Sequence, residues 1–138
     1  MATVTLIHSS HLAHADYADA AVIEEGHQLV VLAGVCPLDE RGETVAAGDI
    51  VAQMRRALAN MEMALADCGL VTTDVASVRI LVATRHRDDL VAAWGAFRAH
   101  FGDHDVPATL MGVTVLGYVD QLVELEVIGA RELERLPR

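Results

Sequence analysis

Val123-Glu124-Leu125-Glu126-Val127 alternates apolar and acidic residues, and this pattern belongs to an extended strand buried on one side. Val123, Leu125 and Val127 share one face, while Leu122, Glu124, Glu126 and Ile128 share the other. One face belongs to a core; the other meets something polar. Two carboxylates there describe either the solvated side of a half-exposed antiparallel strand or a cleft acid, with Glu124 as the candidate.

The remaining elements follow from periodicity. Residues 3–9 form a short strand, and 20–23 with 29–34 form a hairpin with Glu24-Glu25-Gly26-His27 at its turn. Residues 37–43 make a turn-rich loop. Asp49 caps a helix whose Met54, Leu58, Met61, Leu65 and Cys68 recur at spacings of four and three, and Gly69 ends it. A strand at 77–84 places Val78, Ile80 and Val82 on one side and Arg79, Leu81 and Ala83 on the other. A second helix runs from about 86 to 101 with Leu90, Trp94, Phe97 and Phe101 on its inner stripe. Residues 108–116 and 121–129 close the fold as a final pair of strands, turning at Gly117 and Asp120. The charged tail, 131–138, is expected to fray.

A chain of 138 residues, 53% hydrophobic and 22% charged, suits one domain over 1–138 with a real core. No apolar run approaches the ~20 residues of a membrane-spanning helix. The run at 4–7 is too short for the centre of a secretory signal, so a cytoplasmic location is the default expectation. Cys36 and Cys68 lack metal-site or redox spacing and read as core or near-core residues. All 10 basic residues are Arg, and the net charge is -10. Without lysine, Schiff-base chemistry through a lysine side chain is excluded. Few and scattered cations argue against a nucleic-acid partner.

Two helices cover one face of such a sheet, yet residues 29–33 and 109–116 are largely apolar on both faces. The uncovered face calls for another chain, and symmetric closure by identical copies is the usual solution.

Tyr17, the run Leu29-Val30-Val31-Leu32-Ala33-Gly34-Val35-Cys36-Pro37-Leu38-Asp39, the helix end Leu65-Ala66-Asp67-Cys68-Gly69, His100-Phe101-Gly102, and Leu122-Val123-Glu124-Leu125-Glu126-Val127 together span roughly residues 15–130. In this order and spacing they resemble the YjgF/RidA family. The resemblance implies an α+β, chorismate-mutase-like fold: a mixed six-stranded sheet with two helices on one face, closing as a homotrimer around a central barrel. It also implies small-molecule ligands in clefts between subunits, no metal, no organic cofactor and no membrane. The chemistry implied is hydrolysis of reactive imines or enamines to a keto acid and ammonia.

The resemblance assigns site residues and exposes departures. Glu124 falls on the acid that positions or activates water, and Tyr17 on a cleft tyrosine. An Arg that holds the substrate carboxylate is expected after a Pro-Ala pair, but here the triplet is Pro107-Ala108-Thr109. The family's frequent Ser-Gly-Gln is Ala33-Gly34-Val35, a helix Asn is Trp94, and a small cleft residue is Met111. The cleft is thus less polar, with Glu124 near Met111 and away from a partnering Arg. Loss of a charge-assisted bond weakens carboxylate binding by roughly ten- to a hundredfold. The expectation is a RidA-like enzyme that is not a typical 2-aminoacrylate deaminase and takes a less acidic substrate. In this reading Glu124 is catalytic, Tyr17 and Thr109 orient the substrate, and the Gly34 backbone adds a donor. Met111 and Trp94 line the cleft, and His14 at its mouth is a secondary general acid. Arg79 is a candidate replacement for the missing anchor. The alternative is a trimer that binds or senses a small metabolite without catalysis.

Overall fold

The computed structural model describes residues 3–133. Six strands and two helices alternate in the order β1 (Val4–Ile7), β2 (Ala20–Ile23), β3 (His27–Val31), α1 (Ile50–Asp67), β4 (Val75–Ala83), α2 (Arg87–Phe101), β5 (Ala108–Val113) and β6 (Val123–Glu132). The fold is a mixed α+β arrangement, but its strands divide into two sheets. β1 and β2 form an antiparallel pair, and the other four run in the order β3-β6-β4-β5. β6 is antiparallel to both β3 and β4, whereas β5 is parallel to β4 and is reached through α2. A helical crossover is what parallel neighbours require.

Both helices are built as their sequence directs. The Asp49 side chain accepts from the Ala52 amide at 2.9 Å, and Met54, Leu58, Met61 and Leu65 are all buried. Gly69, at φ 79°, follows the last turn, where the Leu70 amide returns to the Leu65 carbonyl at 2.8 Å. α2 buries Ala93, Phe97 and Phe101. These residues join Val78, Ile80, Val82, Val123, Leu125 and Val127 in one apolar cluster, so the alternation of β6 has the core on its valine–leucine face. Each such side chain contributes ~1.5–3 kcal/mol when fully buried.

Strand partners depart from the sequence expectation. The turn at Glu24 to His27 exists, with Gly26 at φ 83°, but β2 pairs with β1 and β3 pairs with β6. The His27 ring takes the Glu24 carbonyl at 2.8 Å at the point where a hairpin would begin its ladder. β5 and β6 are likewise not a pair, because β4 lies between them. The expected single sheet of six strands is therefore a pair plus a sheet of four. The tail is ordered further than expected: β6 continues to Glu132, and Arg131 bonds Gln28 and the Cys68 carbonyl. The rest of the tail from 134 lies outside the described residues.

The sheet face turned away from the helices carries Glu124, Glu126, Arg79, Leu81, Thr109 and Met111. At its β3 end, Leu29 is 58%, Val31 70% and Ile128 40% exposed, an apolar area that the described residues leave uncovered. No described helix is long and apolar enough to cross a membrane.

Candidate active site

Glu124 sits near the start of the central strand β6, and the neighbouring chain bends to make room for it. Val31 pairs with Ile128, and Val35 next pairs with Leu125, so the β3 side is one residue longer over this step. The extra residue makes a bulge at 32–34, a device common beside functional sites. Gly34 lies in it. A Cβ built on Gly34 would come within 2.5 Å of Glu124 Oε2, so glycine is what lets the carboxylate stand there.

The other carboxylate oxygen is fixed. Glu124 Oε1 accepts from Cys36 Sγ at 3.1 Å and from Gln121 Nε2 at 3.1 Å. Gln121 is buried and holds the Val123 carbonyl and the Tyr118 amide as well. Cys36 is positioned by α1, whose Asn60 donates to the Cys36 and Leu38 carbonyls, each at 2.9 Å. Gln53, fully buried on the same helix, bonds the Asp120 carbonyl and Leu122 amide and so fixes the approach to β6. Among the described residues both hydrogen bonds to the Glu124 carboxylate go to Oε1. Oε2 is the oxygen left for a ligand or water.

Burial raises the Cys36 thiol, and the hydrogen bond and negative charge of Glu124 raise it further, to about 12. Cys36 is thus a thiol donor at neutral pH rather than a thiolate nucleophile. A cavity of 380 Å³ opens beside Gly34 and Glu124 and is also lined by Arg79 and Glu126. The Arg79 guanidinium lies 3.6 Å from Glu126, so its charge has a partner on the sheet. The expected isolation of Glu124 from any Arg is corrected in this respect: an Arg shares its cavity but pairs with the next acid along the face.

The other expected site residues gather elsewhere in the chain. Tyr17, Trp94 and Thr109 line a mostly apolar cavity of 710 Å³ between α2, β5 and the segment before β2. The rings of Tyr17 and Trp94 meet edge to face at 5.9 Å, and Trp94 Nε1 donates to Asp16 at 3.0 Å. Met111 borders neither cavity. It pairs with Leu81, whose opposite neighbour is Glu124, and so lies two strands from the acid. His14 is exposed and lines neither cavity. The expected cleft residues therefore fall in two places, Gly34 and Glu124 at one cavity and Tyr17, Trp94 and Thr109 at the other.

Sequence reasoning missed Cys36 and Gln121, which hold the acid, and Asp16 and Arg87, which line the larger cavity. Cys36 had a usable signal in its place two residues after Gly34, on a loop already marked as part of the site. Gln121 had none, because its role arises from a turn that returns its amide to β6. Among the described residues no group of three or more His, Cys, Asp or Glu is arranged to hold a metal.

A sheet of this order backed by two helices matches solved structures of the Rid class. The Rid-family protein YyfB from Yersinia pestis superposes with a TM-score of 0.85 at 22% identity, covering 94% of this chain and 99% of that one. Rv2704 from Mycobacterium tuberculosis, of the YjgF/YER057c/UK114 family, gives a TM-score of 0.62 at 27% identity over 91% and 98% of the two chains. The YjgF gene product from E. coli gives 0.65 at 21% identity over 92% and 94%. The family model described as Endoribonuclease L-PSP matches residues 8–131, and the chain belongs to that family, the YjgF/RidA family. No curated protein matches it.

Proposed function

We propose that this protein hydrolyses imine or enamine metabolites of small size, with Glu124 as the general acid–base residue. The observation that carries this reading is the divided carboxylate: Oε1 is fixed by Cys36 and Gln121, while Oε2 faces the space that Gly34 leaves open. An acid held through one oxygen keeps the other aimed, which general base catalysis needs. Oε2 removes a proton from water as its oxygen bonds to the imine carbon. The carboxyl then returns that proton to nitrogen, giving a carbinolamine; the carboxylate next moves the hydroxyl proton to the amine, the carbon–oxygen double bond forms, and the carbon–nitrogen bond breaks with ammonia as the leaving group. An imine and one water become a carbonyl compound and ammonia, with no change of oxidation state.

The two half-sites become one cleft when protomers associate through the uncovered sheet face, as in the trimer that the resemblance implies. The Tyr17–Trp94–Thr109 cavity of one protomer then supplies the walls, and Glu124 of a neighbour supplies the proton transfer. Thr109 stands where the family's Arg is expected, so 2-aminoacrylate is a poor substrate in this reading. The nuclease activity in the family's name suits the chain badly, since a net charge of -10 opposes a phosphate backbone. The mostly apolar larger cavity supports a second reading, retention of a metabolite without turnover.

Imines generated from apolar amino acids by an amino-acid oxidase, with ammonia release followed, separate these readings. Wild-type protein should accelerate release, and Glu124→Gln should fall to background while keeping the same oligomer and melting temperature. Equal rates for the two proteins would remove Glu124 from the mechanism. Stabilisation by the compounds without any product would favour the binding protein.

A further inference from the structure

The larger cavity contains a cation with no assigned task. Arg87, Leu90, Val91 and Trp94 all line it, and their spacing places them on a single stripe of α2. Tyr17 and Thr109 stand on other walls of the cavity. Among the described residues the Arg87 side chain has no ion pair or hydrogen bond. Of the described arginines, Arg56, Arg79, Arg98 and Arg131 have side-chain partners whereas Arg41, Arg55, Arg85 and Arg87 have none, and of these four Arg87 is the one that lines this cavity. Arg79 lies against Glu126, and Arg98 bonds Asp105 at 2.9 Å and the Gly102 carbonyl at 3.1 Å. The other charged side chain on the cavity lining, Asp16, is answered by Trp94 Nε1 at 3.0 Å and by Arg98 Nε at 3.8 Å. The cavity thus carries one cation, Arg87, without a partner among the described residues, beside an otherwise mostly apolar lining.

We propose that Arg87 is the anion anchor of this cavity and selects ligands with one carboxylate head and an apolar body. A guanidinium presents a fork of donors that matches a carboxylate, and the adjoining leucine, valine and tryptophan surface takes a hydrocarbon chain. Distant acidic residues behind the overall charge of -10 do not cancel this preference, because exposed charges beyond about 8 Å are largely screened at physiological ionic strength; of the two acids in the first turn of α2, Asp88 and Asp89, the latter accepts from the Thr84 hydroxyl. The inference rests on the proposed cleft and names its substrate class. It also revises one expectation from the sequence: Thr109 in place of Arg does not leave the cleft without a cation, since the first turn of α2 supplies one. The substrate keeps its carboxylate but carries a longer apolar side chain than 2-aminoacrylate.

Trp94 is the chain's only tryptophan, so its fluorescence reports directly on this cavity. Hexanoate and its neutral counterpart hexanamide serve as probes in titrations of the full chain. Wild type should bind hexanoate roughly ten- to a hundredfold more tightly than hexanamide. Arg87→Gln should abolish that preference, Arg87→Lys should restore part of it, and Arg55→Gln, an exposed arginine on α1 away from both cavities, should retain it. Equal affinity for the two probes in wild type, an unchanged preference in Arg87→Gln, loss of it in Arg55→Gln, or no response of Trp94 to either probe would each overturn the assignment. Turnover separates the two proposals: the hydrolase reading stands or falls on Glu124→Gln, whereas Arg87→Gln should raise KM with kcat little changed.

Discussion

Cys36 and Glu124 define each other's chemistry. The thiol donates to Oε1, and burial, joined by the hydrogen bond and negative charge of that carboxylate, raises the thiol to about 12 from an ordinary value of 9.0. Since the folded value is raised, the native state keeps a proton that the unfolded chain loses first. The stabilisation is fully present below pH 9.0 and is lost as pH rises toward 12. The reactivity of the thiol tests this at one residue. At pH 8, iodoacetamide should modify Cys36 far more slowly than a free cysteine, and Glu124→Gln should speed the reaction. Peptide mapping by mass spectrometry distinguishes it from Cys68. Rapid labelling in wild type would refute the hydrogen-bonded pair. The acid itself was legible from the alternation of residues 123–127, but its two donors were not. A hydrogen bond between residues 36 and 124 depends on a bulge that has no periodic signature.

At the level of elements, the helices were the most readable part of the chain. Asp49, the Met54 to Leu65 stripe and Gly69 each carry a local signal, and the helix boundaries follow them. Asp49→Ala should destabilise the fold by about 1 kcal/mol through loss of the Ala52 bond, seen as a lower denaturant midpoint with an unchanged slope. An unaltered midpoint would mean that packing alone defines the start of α1. Strands were legible as strands but not as partners. The short turn at Gly26 favours pairing β2 with β3, yet β3 joins β6, nearly the whole chain away. Local propensity fixes neither edge, because the choice is made by which pairing buries the Val123–Leu125–Val127 face under the helices.

For the whole molecule, the apolar area of Leu29, Val31 and Ile128 is the feature that a lone protomer leaves unexplained. Val31 is 70% exposed, so Val31→Asp costs a monomer little while placing a charge in the middle of the proposed association face. Sedimentation should show an oligomer for wild type and a smaller species for Val31→Asp, with hydrolysis falling in step because the half-sites no longer meet. A variant that sediments like wild type would move the interface elsewhere. The uncovered apolar area was legible in residues apolar on both strand faces. The separation of Tyr17, Trp94 and Thr109 from Gly34 and Glu124 was not, since sequence order does not say which residues the fold brings to one cavity.

The strand that is last in order is central in the sheet. During synthesis, β3 and β4 emerge from the ribosome long before β6, and neither ladder beside β6 can zip until residue 132 has cleared the exit tunnel. The β4–α2–β5 unit can dock first, but the sheet lacks its middle until the end. Such long-range closure is slow, and it leaves the apolar faces of β3 and β4 open to chaperones in the interval.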